Sequence, residues 1–134
     1  MQQKTFKKRV KISRRNLMRS KKTSYQIGLY SEFLARMYLR FHGYKILKSR
    51  YVTGKNTNRA EIDIIAKRKN TIVFIEVKCR KDISAAWEAI TPAQSHRLRR
   101  AAETYLIQNH WMGDARFDVI IVCGHKIYWA KNAI

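Results

Sequence analysis

Apolar and polar residues recur with two different periods along this chain, and these periods predict its helices and strands. From Tyr25 to His42 apolar residues return every three to four positions and Gly43 follows as a stop signal, which predicts a first helix. Pro92 directly after Thr91 is typical of the first turn of a second helix. The buried side of that helix is expected to carry Leu98, Ala101, Ala102, Tyr105 and Leu106.

Runs of β-branched residues between short polar breaks predict five strands. They are expected at residues 44–51, 60–66, 71–79, 116–123 and 127–130. The second and third should form a hairpin, whereas the second helix lies between the third and fourth, so those two should run parallel. The predicted fold class is therefore α/β, with an α-β-β-β-α-β order, a mixed sheet flanked by helices and one extra C-terminal strand.

The distribution of charge divides the chain into a tail and a domain. The 134 residues carry 29 Lys and Arg against 9 Asp and Glu, a formal net charge of +20. We expect a single domain at residues 25–134, because residues 1–24 contain ten basic residues and no acidic one. A solvated mobile extension, a phosphate-binding arm and an organelle transit peptide all remain open for this tail. Its candidate phosphate-binding residues are Lys7, Lys8, Arg9, Arg14 and Arg15.

Composition also narrows the partners and the compartment. A strong positive field favours polyanions, so nucleic acid is the expected partner. The longest apolar run is far shorter than the roughly 20 residues of a membrane-spanning helix, so no membrane partner is expected. Cys79 and Cys123 form no C-x-x-C pair, which predicts buried, unpaired thiols in a reducing, cytoplasmic compartment.

The few acidic residues are informative because two of them interrupt the most apolar strands. If the hairpin loop is residues 68–71, Asp63 lies directly opposite Glu76; if it is residues 67–70, the two are diagonal neighbours about 7–8 Å apart on the same face. Either register brings like charges together, which is destabilising. A divalent cation would offset the repulsion, because Mg²⁺ takes one or two protein carboxylates and completes its shell with water and phosphate oxygens.

Lys78 follows Glu76 on the same face of the strand and extends this pattern. Its ammonium favours the ionised carboxylate and can hold or activate a water molecule. Two acids and a lysine on one sheet face are side chains that can carry out metal-assisted phosphodiester hydrolysis. The alternative without chemistry is a Glu76–Lys78 ion pair at a strand end, with Asp63 as a turn residue.

The segments AEIDIIA at residues 60–66 and VFIEVKCR at residues 73–80 resemble the YraN-like family of bacterial endonucleases. That family is a branch of the PD-(D/E)XK nuclease superfamily, which includes archaeal Holliday-junction resolvases. The resemblance covers about residues 25–134 and is supported by GYKIL at residues 43–47 and RFDV at residues 116–119. It implies a restriction-endonuclease-like core.

The resemblance also implies an activity and a set of site residues. The activity is that of an endonuclease that depends on Mg²⁺ or Mn²⁺ and acts on DNA, with branched or structured DNA as a candidate substrate. Asp63 and Glu76 would bind the metal, with the carbonyl of Val77 as a further ligand. Lys78 would be the catalytic lysine, and Glu32 the helix-borne acid that binds metal directly or through water.

Some positions carry alternatives or depart from the family. Glu32 could instead form a surface ion pair with Arg36 at i+4. Gln94 stands where relatives often carry Lys, and it either contacts the site or caps the second helix with Thr91. Ala60 stands where the family usually has Gly, which reduces the backbone freedom there.

Competing functions and partners follow from the same residues. The second helix offers further candidate phosphate contacts at Arg97, Arg99 and Arg100. A nucleic-acid-binding module on a nuclease fold without activity would share the charge and differ only in the metal. A protein-interaction factor would use exposed aromatic residues, with candidates Trp87, Trp111 and Trp129. A homodimer is open as well, because resolvase relatives cut two strands symmetrically.

Overall fold

A five-stranded sheet forms the middle of this computed structural model, which describes residues 23–54, 56 and 59–134. The predicted order of helices and strands is confirmed, with one addition. The short helix α2 was not predicted, because its six residues are too few to show a helical period. In chain order the elements are α1 (Ser24–Phe41), β1 (Lys45–Thr53), β2 (Ala60–Arg68), β3 (Thr71–Cys79), α2 (Ile83–Glu88), α3 (Pro92–Gln108), β4 (Asp114–Cys123) and β5 (Lys126–Ala130).

Both ends of α1 are fixed by local interactions. The Thr23 hydroxyl accepts a hydrogen bond from the Gln26 backbone N–H, and the Gln26 side chain accepts one from the Thr23 N–H, so the helix starts one residue before the predicted domain boundary. Gly43 has a φ of 83°, the left-handed conformation in which glycine ends helices. The remainder of the basic tail lies outside the described residues, with Lys7, Lys8, Arg9, Arg14 and Arg15.

The sheet is mixed, as predicted. Its strands lie side by side in chain order, and all neighbours are antiparallel except β3 and β4, which are parallel. In the β2–β3 hairpin Ile65 lies opposite Phe74, which is the first of the two predicted registers. The pairing ends with Ile64 opposite Ile75, so the two strands separate just before the acidic pair.

Helices cover both faces of the sheet. α1 buries Ala35 and Leu39 against one face, where residues of β2, β3 and β4 complete the cluster. α3 buries Leu98 and Ala101 against the other face, and α2 adds Ala86 over β4 on that side. The sheet is therefore the middle layer of three, with the open ends of β2 and β3 lying between the starts of α1 and α3.

The described residues also give findings on membrane-spanning helices and on the two cysteines. None of their helices is long and apolar enough to cross a membrane. Cys79 and Cys123 are free thiols, as predicted. They are partly exposed rather than buried, because each is the last residue of its strand.

Asp118, in the middle of β4, is completely buried and fully bonded. Its carboxylate accepts hydrogen bonds from Nε and Nη2 of Arg116 at 2.8 and 2.9 Å. The indole N–H of Trp129 and the backbone N–H of Asn132 each donate to it at 2.8 Å. Because those donors belong to β5 and to the segment after it, the carboxylate ties the C-terminal end of the chain to the sheet.

Removing that carboxylate should weaken the fold. We expect Asp118→Ala to lower the free energy of unfolding by about 3–5 kcal/mol, because the Arg116 guanidinium loses the buried partner of its charge. Urea denaturation measures the loss. Asp114→Ala, which removes an exposed acid from the same strand, should change it by no more than about 0.5 kcal/mol. Equal effects of the two substitutions would contradict the assigned role.

Candidate active site

Asp63 and Glu76 come together where β2 and β3 separate. Asp63 Oδ2 accepts a hydrogen bond from the Val77 backbone N–H at 2.8 Å, so a side chain continues the contact where the ladder has ended. Ile62 and Ile65 pack in the same cluster although they are three positions apart, which shows that strand alternation is broken at Asp63. The predicted convergence of the two acids is therefore found, at an irregular point of the sheet.

The environment of the two acids disfavours two negative charges. Burial, followed by the charge of Glu76, raises the pKa of Asp63 to about 8, while the Val77 N–H bond acts in the opposite direction. A proton on Asp63 near neutral pH therefore relieves the repulsion between the two carboxyl groups. This repulsion is the feature from which the sequence predicted a cation site.

Glu76 is buried and is oriented by two donors. Lys78 Nζ lies 3.0 Å from Glu76 Oε1, and Gln94 Nε2 donates to the same oxygen at 3.1 Å. The Gln94 backbone N–H also donates to the Thr91 hydroxyl at 3.1 Å. The predicted contact of Gln94 with the site is therefore found. The Thr91 hydroxyl caps α3 through the Gln94 main chain, but the Gln94 side chain bonds to Glu76 and does not complete a capping box.

Glu32 faces the same region from α1, and its partner is Arg50. Arg50 Nε and Nη2 donate to its two carboxylate oxygens at 2.9 and 3.2 Å. The alternative pairing with Arg36 was wrong, because the carboxylate turns inward to β1. Arg50 has a φ of 54°, an unfavourable backbone conformation for arginine. No sequence pattern predicts this pair, since its members are 18 positions apart.

Two cavities meet at the acidic pair, and both are lined by Asp63 and Glu76. The first has a volume of about 350 Å³, lies toward α3 and is also lined by Arg59, Glu61, Gln94 and Arg97. The second has a volume of about 360 Å³, lies toward α1 and is also lined by Ser24, Gly28, Ser31, Glu32, Lys78 and Arg80. The side chains of α1 and α3 that line these cavities are therefore close to any ligand that Asp63 and Glu76 bind.

The three arginines predicted to contact phosphate differ in position. Arg97 lines the first cavity. The Arg99 guanidinium lies 5.4 Å from the centre of the Phe117 ring, and Arg100 is exposed without lining either cavity. Only Arg97 among the three is placed beside the two acids.

The acids themselves limit the kind of metal that this site could take. Among the residues that the structure describes, no three His, Cys, Asp or Glu side chains form a group that could hold a metal ion. Asp63 and Glu76 provide two carboxylates, and Val77 also lines the second cavity. Two carboxylates with room for water and phosphate oxygens suit a hard ion such as Mg²⁺.

Comparisons with known proteins find one family across this region. The model of a family described as uncharacterised protein family UPF0102 matches residues 31–122. A UPF0102 protein of Vibrio parahaemolyticus (serotype O3:K6) is 40% identical over 115 residues, which cover 81% of this chain and 92% of the relative. One of Dichelobacter nodosus is 38% identical over 126 residues, 85% and 93% of the two chains, and one of Rhodopseudomonas palustris (strain HaA2) is 38% identical over 106 residues, 78% and 80%.

The raised pKa of Asp63 should make stability depend on pH. The proton bound by folded Asp63 stabilises the protein; this contribution is complete below about pH 4 and is lost as the pH rises through about 8. Asp63→Asn has no such proton, so its free energy of unfolding should rise relative to wild type between about pH 5 and pH 9. Urea denaturation in EDTA at several pH values measures this difference. A difference that stays constant over this pH range would contradict the assignment.

The partner of Glu32 can be tested by a matched pair of arginine substitutions. Arg50→Ala leaves a buried carboxylate without its cation, so we expect a loss of about 2 kcal/mol in the free energy of unfolding. Alanine also carries a Cβ, so the left-handed backbone at this position costs about the same in the variant and does not offset the loss. Arg36→Ala should cost no more than about 0.5 kcal/mol. Thermal or urea denaturation of both variants measures these losses. A larger loss of stability for Arg36→Ala than for Arg50→Ala would contradict Arg50 as the partner of Glu32.

Proposed function

Because the chain belongs to uncharacterised protein family UPF0102, its activity has to be inferred from its own side chains, and we propose that it is a Mg²⁺- or Mn²⁺-dependent endonuclease that hydrolyses DNA phosphodiester bonds. The observation that carries this proposal is the contact between Asp63 and Glu76 at the meeting point of two cavities. The three-layer fold with a mixed sheet supports a restriction-endonuclease-like core.

The acidic pair fits a divalent cation. The carboxyl groups of Asp63 and Glu76 repel one another. Burial, followed by the charge of Glu76, raises the pKa of Asp63 to about 8, so a proton on Asp63 relieves this repulsion near neutral pH. A cation would relieve it more completely, and two carboxylates are as many as Mg²⁺ usually takes from a protein. Bound there, the ion would polarise a phosphoryl oxygen of the substrate and lower the pKa of a water molecule.

The neighbouring side chains are assigned to positioning and proton transfer. Gln94 and Lys78 hold one oxygen of Glu76, so the orientation of this carboxylate is fixed before substrate arrives. Lys78 lines the second cavity, where its ammonium group would orient the attacking water or, once deprotonated, take up its proton. Both oxygens of Glu32 are bound by Arg50, so we assign Glu32 a contact through water rather than direct ligation.

The substrate is assigned from charge. A chain with a net charge of +20 is attracted to phosphate backbones, and this attraction weakens as salt displaces it. Linear DNA and branched or structured DNA both satisfy this condition. A homodimer and a cytoplasmic location stay predictions.

A nucleic-acid-binding module without activity is the second candidate, and the charge alone would support it. It offers no reason for two acids in contact on a basic protein, because they would weaken polyanion binding. The alternative of a protein-interaction factor is supported by one exposed tryptophan, Trp87. Trp129 is hydrogen-bonded to Asp118, and Trp111 donates to a backbone carbonyl, so both are used within the fold.

The proposal is tested by removing the acids. Asp63→Ala and Glu76→Ala should each lower the cleavage rate in Mn²⁺ by more than about 100-fold, and Lys78→Ala by about 100-fold. The DNA affinity of Asp63→Ala and Glu76→Ala, measured in EDTA, should stay within about threefold of wild type, because these two substitutions leave every basic residue in place. Linear, nicked, flapped and four-way DNA form the substrate set.

Glu88→Ala, at the exposed end of α2, is the matched control and should keep full activity. Full activity of both Asp63→Ala and Glu76→Ala would refute the assignment. Absence of Mn²⁺ binding by the wild-type protein in calorimetry would favour the module without activity.

A further inference from the structure

Arg97 and Gln94 extend from α3 into the cavity that Asp63 and Glu76 line. They are three positions apart, so they share one side of the helix. The bond from Gln94 Nε2 to Glu76 Oε1 fixes this first part of α3 relative to the acidic pair. Arg97 is therefore held by a rigid element at a defined place beside the acids.

The charge of Arg97 is available for a ligand. Of the two arginines that line this cavity, Arg59 lies 3.9 Å from Glu61, so its charge is partly offset. Arg97 has an exposed side chain and forms no ion pair with any carboxylate of the described residues. A guanidinium presents donors in a planar fork that matches a phosphate group.

The size of the cavity limits what lies between Arg97 and the acids. A volume of about 350 Å³ is near the lower end of the range for ligand sites, which is about 300–1,000 Å³. A space of this size has room for about one nucleotide unit between Arg97 and the acids. Consecutive phosphates of a strand are separated by one such unit, with a rise of about 3.4 Å in a duplex.

We infer that Arg97 binds the phosphate next to the one that is cleaved. This inference rests on the proposed function, because it takes the acidic pair as the place of the scissile phosphate. The substrate is then a polynucleotide with a charged neighbouring phosphate, and an isolated phosphodiester is a poor substrate. Arg99 and Arg100, which are outside this cavity, contribute only general attraction to the strand.

DNA oligonucleotides in which the charge of each phosphate position is chosen test this subsite. Each test oligodeoxynucleotide carries neutral methylphosphonate linkages except for one natural phosphodiester, and a second natural phosphate is restored immediately on its 5′ or its 3′ side. Anisotropy in EDTA measures binding, and incubation with Mn²⁺ measures cleavage, in single strands and in duplexes. Wild type should gain about 10-fold in affinity, and similarly in kcat/KM, from the restored phosphate on one side only.

Arg97→Ala should lose this gain, and Arg97→Lys should keep part of it, because lysine retains the charge without the fork. Arg100→Ala is the matched control, an exposed arginine of the same helix that should keep the whole gain. Circular dichroism checks the fold of each variant, and Arg97→Gln replaces Arg97→Ala if the latter does not fold.

The outcomes separate the subsite from the proposed function. A gain that Arg97→Ala keeps in full, or a wild-type protein that gains from neither neighbour, overturns the inference. An Arg97-dependent gain in binding without cleavage of any strand supports the subsite and overturns the endonuclease. Cleavage that requires Asp63 but does not depend on the neighbouring phosphate supports the endonuclease and contradicts the subsite.

Discussion

The repulsion between the carboxyl groups of Asp63 and Glu76 is the constraint to which the surrounding residues respond. A regular hairpin would place them opposite one another in a ladder, but β2 and β3 stop pairing one step earlier. Asp63 then takes the Val77 N–H, which a regular partner strand would otherwise have bound. Lys78 and Gln94 bind Glu76, and the pKa of Asp63 rises. Each of these features reduces the cost of two acids in one partly buried corner, and none of them removes it.

A second compensation lies on the α1 side. Glu32 would add a third negative charge near the pair, and its charge is one of the influences that raise the pKa of Asp63. Arg50 neutralises it with two hydrogen bonds, in a left-handed backbone conformation that arginine seldom adopts. A backbone held in an unfavourable conformation persists only where the surroundings require it. The left-handed conformation of Arg50 is therefore consistent with a requirement for a cation between Glu32 and the sheet.

Much of the fold follows from the sequence, because α1, α3 and the strands each bury a face large enough to set a clear period. The predicted hairpin register, with Ile65 opposite Phe74, also brought Asp63 and Glu76 close together, although the alternation assumed with it is broken at Asp63. The Glu32–Arg50 pair could not be predicted, because it depends on the irregular course of β1 and on how α1 packs. Asp118 carried a usable signal, an acid within an apolar strand, but its partners in β5 and beyond are visible only in three dimensions.

Asp118 and Asp63 together show why an acid within an apolar strand does not by itself mark a functional site. Asp118 receives four hydrogen bonds, two of them from an arginine, and no cavity is needed to explain it. Asp63 receives one backbone hydrogen bond, faces a second carboxyl group and lines two cavities. A fully bonded acid stabilises the fold and has no capacity left for a ligand. The acid whose charge the protein leaves uncompensated is the one that could bind a cation, and this difference supports the proposed metal site at Asp63 and a structural role for Asp118.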